Sequence, residues 1–255
     1  MEKEGIITKA LIHEYGNGKL EIEHENIVQV LESRDIPYEL FTSKKLHRNQ
    51  LKLNKNTLVV GDHSVMETVF KRLKFSCQNN SYPESLKPFL KRNVWESSLT
   101  RLFNESLEKD ISDIFIKPKN KTKLFTGFVL NSSFDLFQLE NYSKSTKLYC
   151  SEIVDWLSEF RVFVINSKIV GIKNYAGNPE IKLDLKEVEK AIKVFEKSDE
   201  KTAAYGIDFG VLSNGETALI EWNDGFALGS YNLEKEIYTD LIMTRWKEIL
   251  SKSTI

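Results

Sequence analysis

Three residues toward the C-terminal end have the types and spacing to hold a hard cation: Asp208, Glu221 and Asn223. They lie in the stretch AAYGIDFGVLSNGETALIEWNDGFALGSY, from Ala203 to Tyr231. Two apolar runs, Tyr205–Leu212 and Thr217–Trp222, are joined through Ser-Asn-Gly, a hairpin signature with its turn at Asn214-Gly215. Residues two apart on a strand share a face, so Glu221 and Asn223 project together. Strand pairing can bring Asp208 beside them. Two carboxylates and an amide are hard oxygen donors of the kind that bind Mg²⁺. A plain hairpin whose acids flank a turn would carry the same residues, so the pattern draws its meaning from the rest of the chain.

Upstream, Lys117, Lys123, Glu152, Glu159 and Arg161 are further polar positions set in or beside apolar strands. An unpaired charge in such a place is costly. Lysines and an arginine suit phosphate oxygens, and the carboxylates suit a metal shared with them. Two plainer readings stand beside this one. Lys123 is also an ordinary lysine of a lysine-rich turn, and Glu159 and Arg161 are same-face neighbours able to form a structural salt bridge.

The elements that position these residues fall into two halves. In the first, Gly5–His13, Pro37–Phe41 and Thr57–Val60 read as strands, while Glu25–Arg34 and His63–Leu73 have helical apolar spacing. That alternation predicts a small α/β lobe with a mostly parallel sheet. The basic run Lys44–Lys55 has no interleaved aromatics and reads as a solvated helix or loop. Phe75–Pro88 reads as a linker and Glu96–Leu107 as a helix. In the second half Asp113–Lys117, the rise after KNKTK, Tyr149–Val154, Phe160–Ile165 and Ser167–Tyr175 read as strands. Leu185–Lys197 and a last stretch around Ile237–Leu250 read as covering helices. The expected division is residues 1–82 and 83–255, with a hinge near 152–156.

Composition narrows the function classes. The 255 residues are 41% hydrophobic and 29% charged with net charge −1, which argues against a nucleic-acid binder that relies on bulk charge. No apolar run is long enough to span a bilayer, and the N-terminus lacks a signal peptide's apolar region, so no membrane partner is expected. Cys77 and Cys150 have no metal or redox spacing, which fits a reduced, cytoplasmic protein. His13, His24, His47 and His63 share no zinc-type spacing.

In order and spacing, IFIKP, SEIVDWLSEFRVFV and YGIDFG…LIEWND resemble the ATP-grasp superfamily. The K-x-FTG after the first lysine and the final E-x-ND-G are similar to a compact group of single-chain members. The D…E-x-N tail also resembles glutathione synthetase, D-alanine–D-alanine ligase and the ribosomal-protein glutamate ligases. The resemblance covers Asp113–Tyr231. It implies an α+β ATP-grasp fold, antiparallel sheets with covering helices, after a small α/β lobe that is compatible with the domain preceding such modules. It further implies ATP and Mg²⁺ as cofactors. The activity implied is a carboxylate–amine ligase working through an acyl phosphate on small-molecule, peptide or protein substrates.

Carried over by position, Lys117, Lys123 and Arg161 would meet the nucleotide, and Asp208, Glu221 and Asn223 the metal. Glu152, Ile153 and Val154 would meet adenine at the hinge, and Glu159 the ribose or phosphates. Arg161 and Lys117 would do the electrostatic work of catalysis. Lys173 stands where relatives place another arginine, and Tyr175 and Tyr231 are candidates for the acceptor side. The chain departs from the pattern in lacking a loop of several glycines, Thr126-Gly127 being the nearest equivalent. A small-molecule kinase and a nucleotide-binding module without turnover are alternatives. The last helix or the Trp156-Leu157 flank could each serve a homo-oligomer interface or simply the core.

Overall fold

The computed structural model describes residues 6–77, 80–119 and 124–253. Gly5, the expected start of the first strand, and Lys123 lie outside them. Three strands, β1 (Lys9–His13), β2 (Tyr38–Phe41) and β3 (Thr57–Val60), form a parallel sheet in the order β2-β1-β3. Helices α1 (Ile22–Ser33), α2 (Ser43–His47) and α3 (His63–Leu73) connect and cover it. The helical apolar positions are the buried ones: Ile27, Val28 and Leu31 on α1, and Val65, Met66, Val69 and Phe70 on α3. Asp62 caps α3 by accepting from the Val65 amide at 3.0 Å.

The second sheet runs β4 (Val94–Ser98), β7 (Lys147–Glu152), β5 (Ile114–Pro118), β6 (Phe128–Leu130), antiparallel throughout. Strand β7 alternates: Leu148 and Cys150 enter a small core with Leu99 and Leu102 of α4 (Leu99–Glu108), while Tyr149 faces the other way. After a crossing at 153–155 the chain enters a third sheet, ordered β11 (Thr217–Asp224), β10 (Ala204–Leu212), β8 (Trp156–Ile165), β9 (Lys168–Gly177). Tyr205, Ile207, Phe209 and Val211 of β10 pack one face of this sheet onto Val188, Ala191, Ile192 and Phe195 of α5 (Leu185–Phe195).

Two expectations are corrected. The segment read as one helix over Glu96–Leu107 begins as strand β4, and α4 starts only after Ser98, whose hydroxyl accepts from the Arg101 amide. The local periodicity gave way because β4 pairs with β7, a partner distant in sequence. The stretch read as a linker, Phe75–Pro88, is anchored as well. Tyr82 and Leu86 are buried, a short 3₁₀ helix spans Glu84–Phe89, and the Ser81 carbonyl accepts from the Trp222 amide at 2.8 Å.

The last helix, α6 (Lys235–Lys252), folds back across the molecule. Its Tyr238, Leu241, Ile242, Trp246 and Ile249 share one core with β1, β3, α1, α3 and Phe163 of β8, so the first lobe and the third sheet are joined through α6. Arg245 fixes it in place with a bidentate grip on Asp224 at 2.6 and 2.7 Å and a bond to Glu248 at 2.7 Å. Gly225 is needed here, since a Cβ would lie 2.3 Å from the Ala204 carbonyl oxygen. Among the described residues no helix is long and apolar enough to cross a membrane.

Arg245→Ala leaves two shielded carboxylates without their cation and is expected to cost about 3–5 kcal/mol in urea unfolding. Lys252→Ala, at the exposed partner of the same Glu248, should stay within about 0.5 kcal/mol.

Candidate functional site

Antiparallel partners opposite one another point to the same side of a sheet. In the third sheet the register sets Lys173 opposite Arg161, Arg161 opposite Asp208, and Asp208 opposite Glu221. A single row across four strands thus reads Lys-Arg-Asp-Glu, and Asn223 sits two residues beyond Glu221 on the same face. The arrangement depends on an irregularity. Pairs from Val211↔Thr217 to Phe209↔Leu219 run in one register, and the next pair is Asp208↔Glu221, so Ile220 is bulged out. In the unbroken register Asp208 would face Ile220, and Glu221 would point to the opposite side.

Arg92 holds that bulge. Its guanidinium donates to the carbonyls of Leu219 at 2.7 Å and Ile220 at 3.0 Å, and it lies over the Trp156 ring. Glycines flank Asp208 on its own face. A Cβ at Gly206 would stand 3.2 Å from Arg161 Cδ, and one at Gly210 would stand 2.3 Å from the Trp156 ring. The pattern Gly-x-Asp-x-Gly therefore leaves room for the large side chains that arrive from β8.

Each acid is met by a cation. Arg161 donates to Asp208 through Nε and Nη2 at 2.7 and 2.6 Å, and both side chains are buried. Lys117 reaches from β5 of the second sheet to Glu221 at 2.5 Å, so this ion pair bridges the two sheets. Asn223 Nδ2 lies 3.2 Å from both Asp208 and Glu221, bracing the two acids against each other. The Lys117 ammonium rests 4.4 Å from the centre of the Tyr82 ring.

The electrostatics follow from this packing. Burial pushes the Asp208 carboxyl up, to about 6, against the pull of Arg161 and with a further push from Glu221. For Glu221 burial acts in the same sense, but Lys117 and Asn223 outweigh it and hold the carboxyl below its usual range. Burial disfavours the Lys117 ammonium, yet Glu221 outweighs that and raises its pKa. Among the described residues no three His, Cys, Asp or Glu side chains gather into a metal-binding group. The candidate donors are two carboxylates plus the amide of Asn223, whose oxygen and nitrogen exchange by a simple turn of the side chain.

A cavity of about 340 Å³ opens at this row, lined among others by Lys117, Lys119, Gly127, Arg161, Glu221 and Asn223. A Cβ at Gly127 would lie 2.5 Å from the Phe115 ring, so the backbone can come this close to Lys117 only as glycine. Arg161 also stacks 4.8 Å over the Tyr231 ring, and Tyr231 stacks on Tyr175, forming an aromatic wall beside the row. Tyr231 adopts φ +44°, a left-handed backbone that turns its ring onto this wall.

Other expected site residues are engaged elsewhere. The carboxylate of Glu159 accepts from the Tyr175 hydroxyl at 3.0 Å, and Arg161 is paired with Asp208, so the Glu159–Arg161 bridge is not the arrangement formed. Lys173, although in the row, turns its ammonium to Glu234 at 3.2 Å. Glu152 is held by the Asn93 backbone amide and side chain and is exposed. By strand parity it also lies on the face of β7 opposite to Tyr149, which pairs with Lys117. Ile153 and Val154 form the crossing between the sheets. Arg92, Tyr82 and Lys119 are additions that sequence reasoning missed. Only Lys119 carried a signal, standing two residues beyond Lys117.

Comparison with known proteins adds a family and a fold. A family model described as an ATP-grasp domain matches residues 89–241, well over half of the chain. No curated protein matches the sequence significantly. Among solved structures, D-alanine–D-alanine ligase from Bacillus anthracis is similar with TM-score 0.57 at 13% identity, over 96% of this chain and 99% of that one. N5-carboxyaminoimidazole synthetase from Staphylococcus aureus gives TM-score 0.56 at 10% identity, over 94% and 78%. Macrocyclase MdnC bound with precursor peptide MdnA, from Microcystis aeruginosa MRC, gives 0.53 at 13%, over 92% and 99%. At such identities the likeness is one of fold.

Arg92→Met leaves the carbonyls of Leu219 and Ile220 without their donor and is expected to cost about 1–3 kcal/mol in urea unfolding. Amide hydrogen exchange over residues 219–223 should rise with it. Arg92→Lys, which cannot span two carbonyls as the planar guanidinium does, should recover only part of the loss.

Proposed function

We propose that this chain, which belongs to the ATP-grasp domain family, is an ATP-dependent ligase that joins a carboxylate to an amine through an acyl phosphate. The observation that carries the reading is the meeting of Asp208, Glu221 and Asn223 on one sheet face, with Lys117 and Arg161 as counter-ions. This donor set fits Mg²⁺ shared with a triphosphate: the acids and the amide suit the metal, and the cations suit phosphate oxygens. When bound, the metal neutralises charge on the transferring phosphoryl group.

The residues of the chain do the rest. Asp208, Glu221 and Asn223 would hold the metal, and Arg161 and Lys117 would then face the phosphates. Tyr82 beneath Lys117 and Tyr231 beneath Arg161 keep both cations at the site. Ile153 and Val154 offer backbone groups to adenine at the crossing, and Glu159, steadied by Tyr175, serves the ribose. Lys123 and Lys119 add positive charge near the phosphates, and Lys173 lies at the acceptor edge of the row. The chain needs no nucleophile of its own, because the phosphoryl group passes from ATP to the substrate carboxylate. Free thiols at Cys77 and Cys150 fit a cytoplasmic setting.

The test is ADP release screened over carboxylate and amine pairs. Asp208→Asn, Glu221→Gln and Asn223→Ala should each lower the rate by about a hundredfold or more while thermal unfolding still shows a folded chain. A stable phosphorylated product formed without any amine would replace the ligase by a kinase. ATP binding without ADP under every pair would leave a nucleotide-binding module. Lys117→Ala should weaken ATP binding even in the absence of Mg²⁺, as read by titration calorimetry.

A further inference from the structure

A second cavity, about 180 Å³, adjoins the first: His63 and residues 226–229 line both. It lies at the C-terminal ends of β1 and β3, where the strand order β2-β1-β3 changes direction and open parallel sheets receive ligands. Its remaining lining includes Glu21, Glu23, His24 and Asp62, and no lysine or arginine is among its described lining residues.

Each of these groups keeps an acceptor for a ligand. Glu23 spends Oε1 on the amide and hydroxyl of Ser230, at 3.2 and 3.3 Å, leaving Oε2 without a partner among the described residues. Glu21 likewise uses only Oε1, toward the Tyr15 hydroxyl. Asp62 commits Oδ1 to the start of α3, and Oδ2 has only the Tyr15 hydroxyl at 3.5 Å. His24 is decisive. It is 4% exposed, and its Nδ1 lies 3.1 Å from the His13 carbonyl oxygen. A carbonyl only accepts, so Nδ1 carries the hydrogen. Burial lowers the pKa of the ring and keeps it neutral. Nε2 is then a lone pair with no donor among the described residues. An unpaired acceptor on this side chain, which lines the cavity together with three carboxylates, calls for a ligand that brings hydrogen-bond donors and positive charge.

We propose that this second cavity seats the amine substrate as an alkylammonium ion in the negative field of Glu21, Glu23 and Asp62, with one N–H donated to Nε2 of His24. The assignment rests on the ligase reading for its role but not for its chemistry. An ammonium supplies three donors and the matching charge, whereas a carboxylate would meet only acceptors. A free amine and the end of a lysine side chain share this chemistry.

The experiment is calorimetric titration of the whole chain with 1,4-diaminobutane, with N-acetyl-lysine amide and with glutarate, each with and without a slowly hydrolysed ATP analogue. At least one amine should bind saturably and glutarate should not. Glu23→Gln and Asp62→Asn should each weaken the amine by about tenfold with affinity for the ATP analogue unchanged. Saturation by the diamine alone would identify a free amine, and by the lysine amide a peptide. Absence of amine binding while the analogue binds would overturn the cavity assignment and leave the ligase reading intact. So would unchanged amine affinity in both folded variants, or preferential binding of glutarate. Amine binding without analogue binding would uphold the cavity and remove the ligase reading.

Discussion

Two carboxylates on adjacent strands, one buried and one partly buried and facing each other, do not both stay ionised without positive charge against them. Asp208 and Glu221 are in that position, and much of the surrounding structure supplies what they lack. Arg161 arrives from the neighbouring strand and Lys117 from another sheet, so the acid pair also ties the two sheets together. A divalent cation could do the same work, and the two side chains would then be free to meet an anionic ligand. The site is a set of charges whose partners can be exchanged, which suits a ligand that carries a metal and phosphates at once.

The fold delivers this pairing through a few local devices. The bulge at Ile220 turns Glu221 toward Asp208, Arg92 satisfies the carbonyls the bulge exposes, and Gly206 makes room for Arg161. The opposite face of β10 is packed against α5, so the strand has a rigid apolar back and a charged front. On the far side α6 clamps the first lobe to the third sheet through Trp246 and the Arg245–Asp224 pair. The sheet that carries Lys117 has its own small core with α4. It meets the charged face through side chains such as Tyr149 and Lys117, which is the construction expected of a part that adjusts to what it covers.

Much of this was legible in the sequence because local pattern and tertiary role agreed. The hairpin, the acids on it, the amphipathic helices and the parallel first lobe all follow from periodicity and turn residues. The reading of Glu96–Leu107 as one helix failed because strand β4 is defined by pairing with β7, some fifty residues away. The bulge was equally invisible. Alternation predicts that Glu221 and Asn223 share a face, but whether Asp208 joins them depends on one extra residue in the partner strand. Arg92 carried no signal, since its role exists only once the carbonyls of Leu219 and Ile220 are in place. Asp224 could be read as part of the motif ending, and its grip on Arg245 is visible only with α6 folded back. Pairing choices such as Arg161 with Asp208 rather than Glu159 are settled by register, which composition does not encode.

The central claim is that these acids exchange their cationic partners for a metal that arrives with nucleotide. Calorimetric titration with a slowly hydrolysed ATP analogue, with and without Mg²⁺, tests it most directly on the unmodified chain and on Asp208→Asn. The account expects tight binding with Mg²⁺, markedly weaker binding without it, and loss of that difference in Asp208→Asn. Equal affinity with and without Mg²⁺ in the unmodified chain would contradict it, and the Arg161–Asp208 and Lys117–Glu221 pairs would then be structural ion pairs.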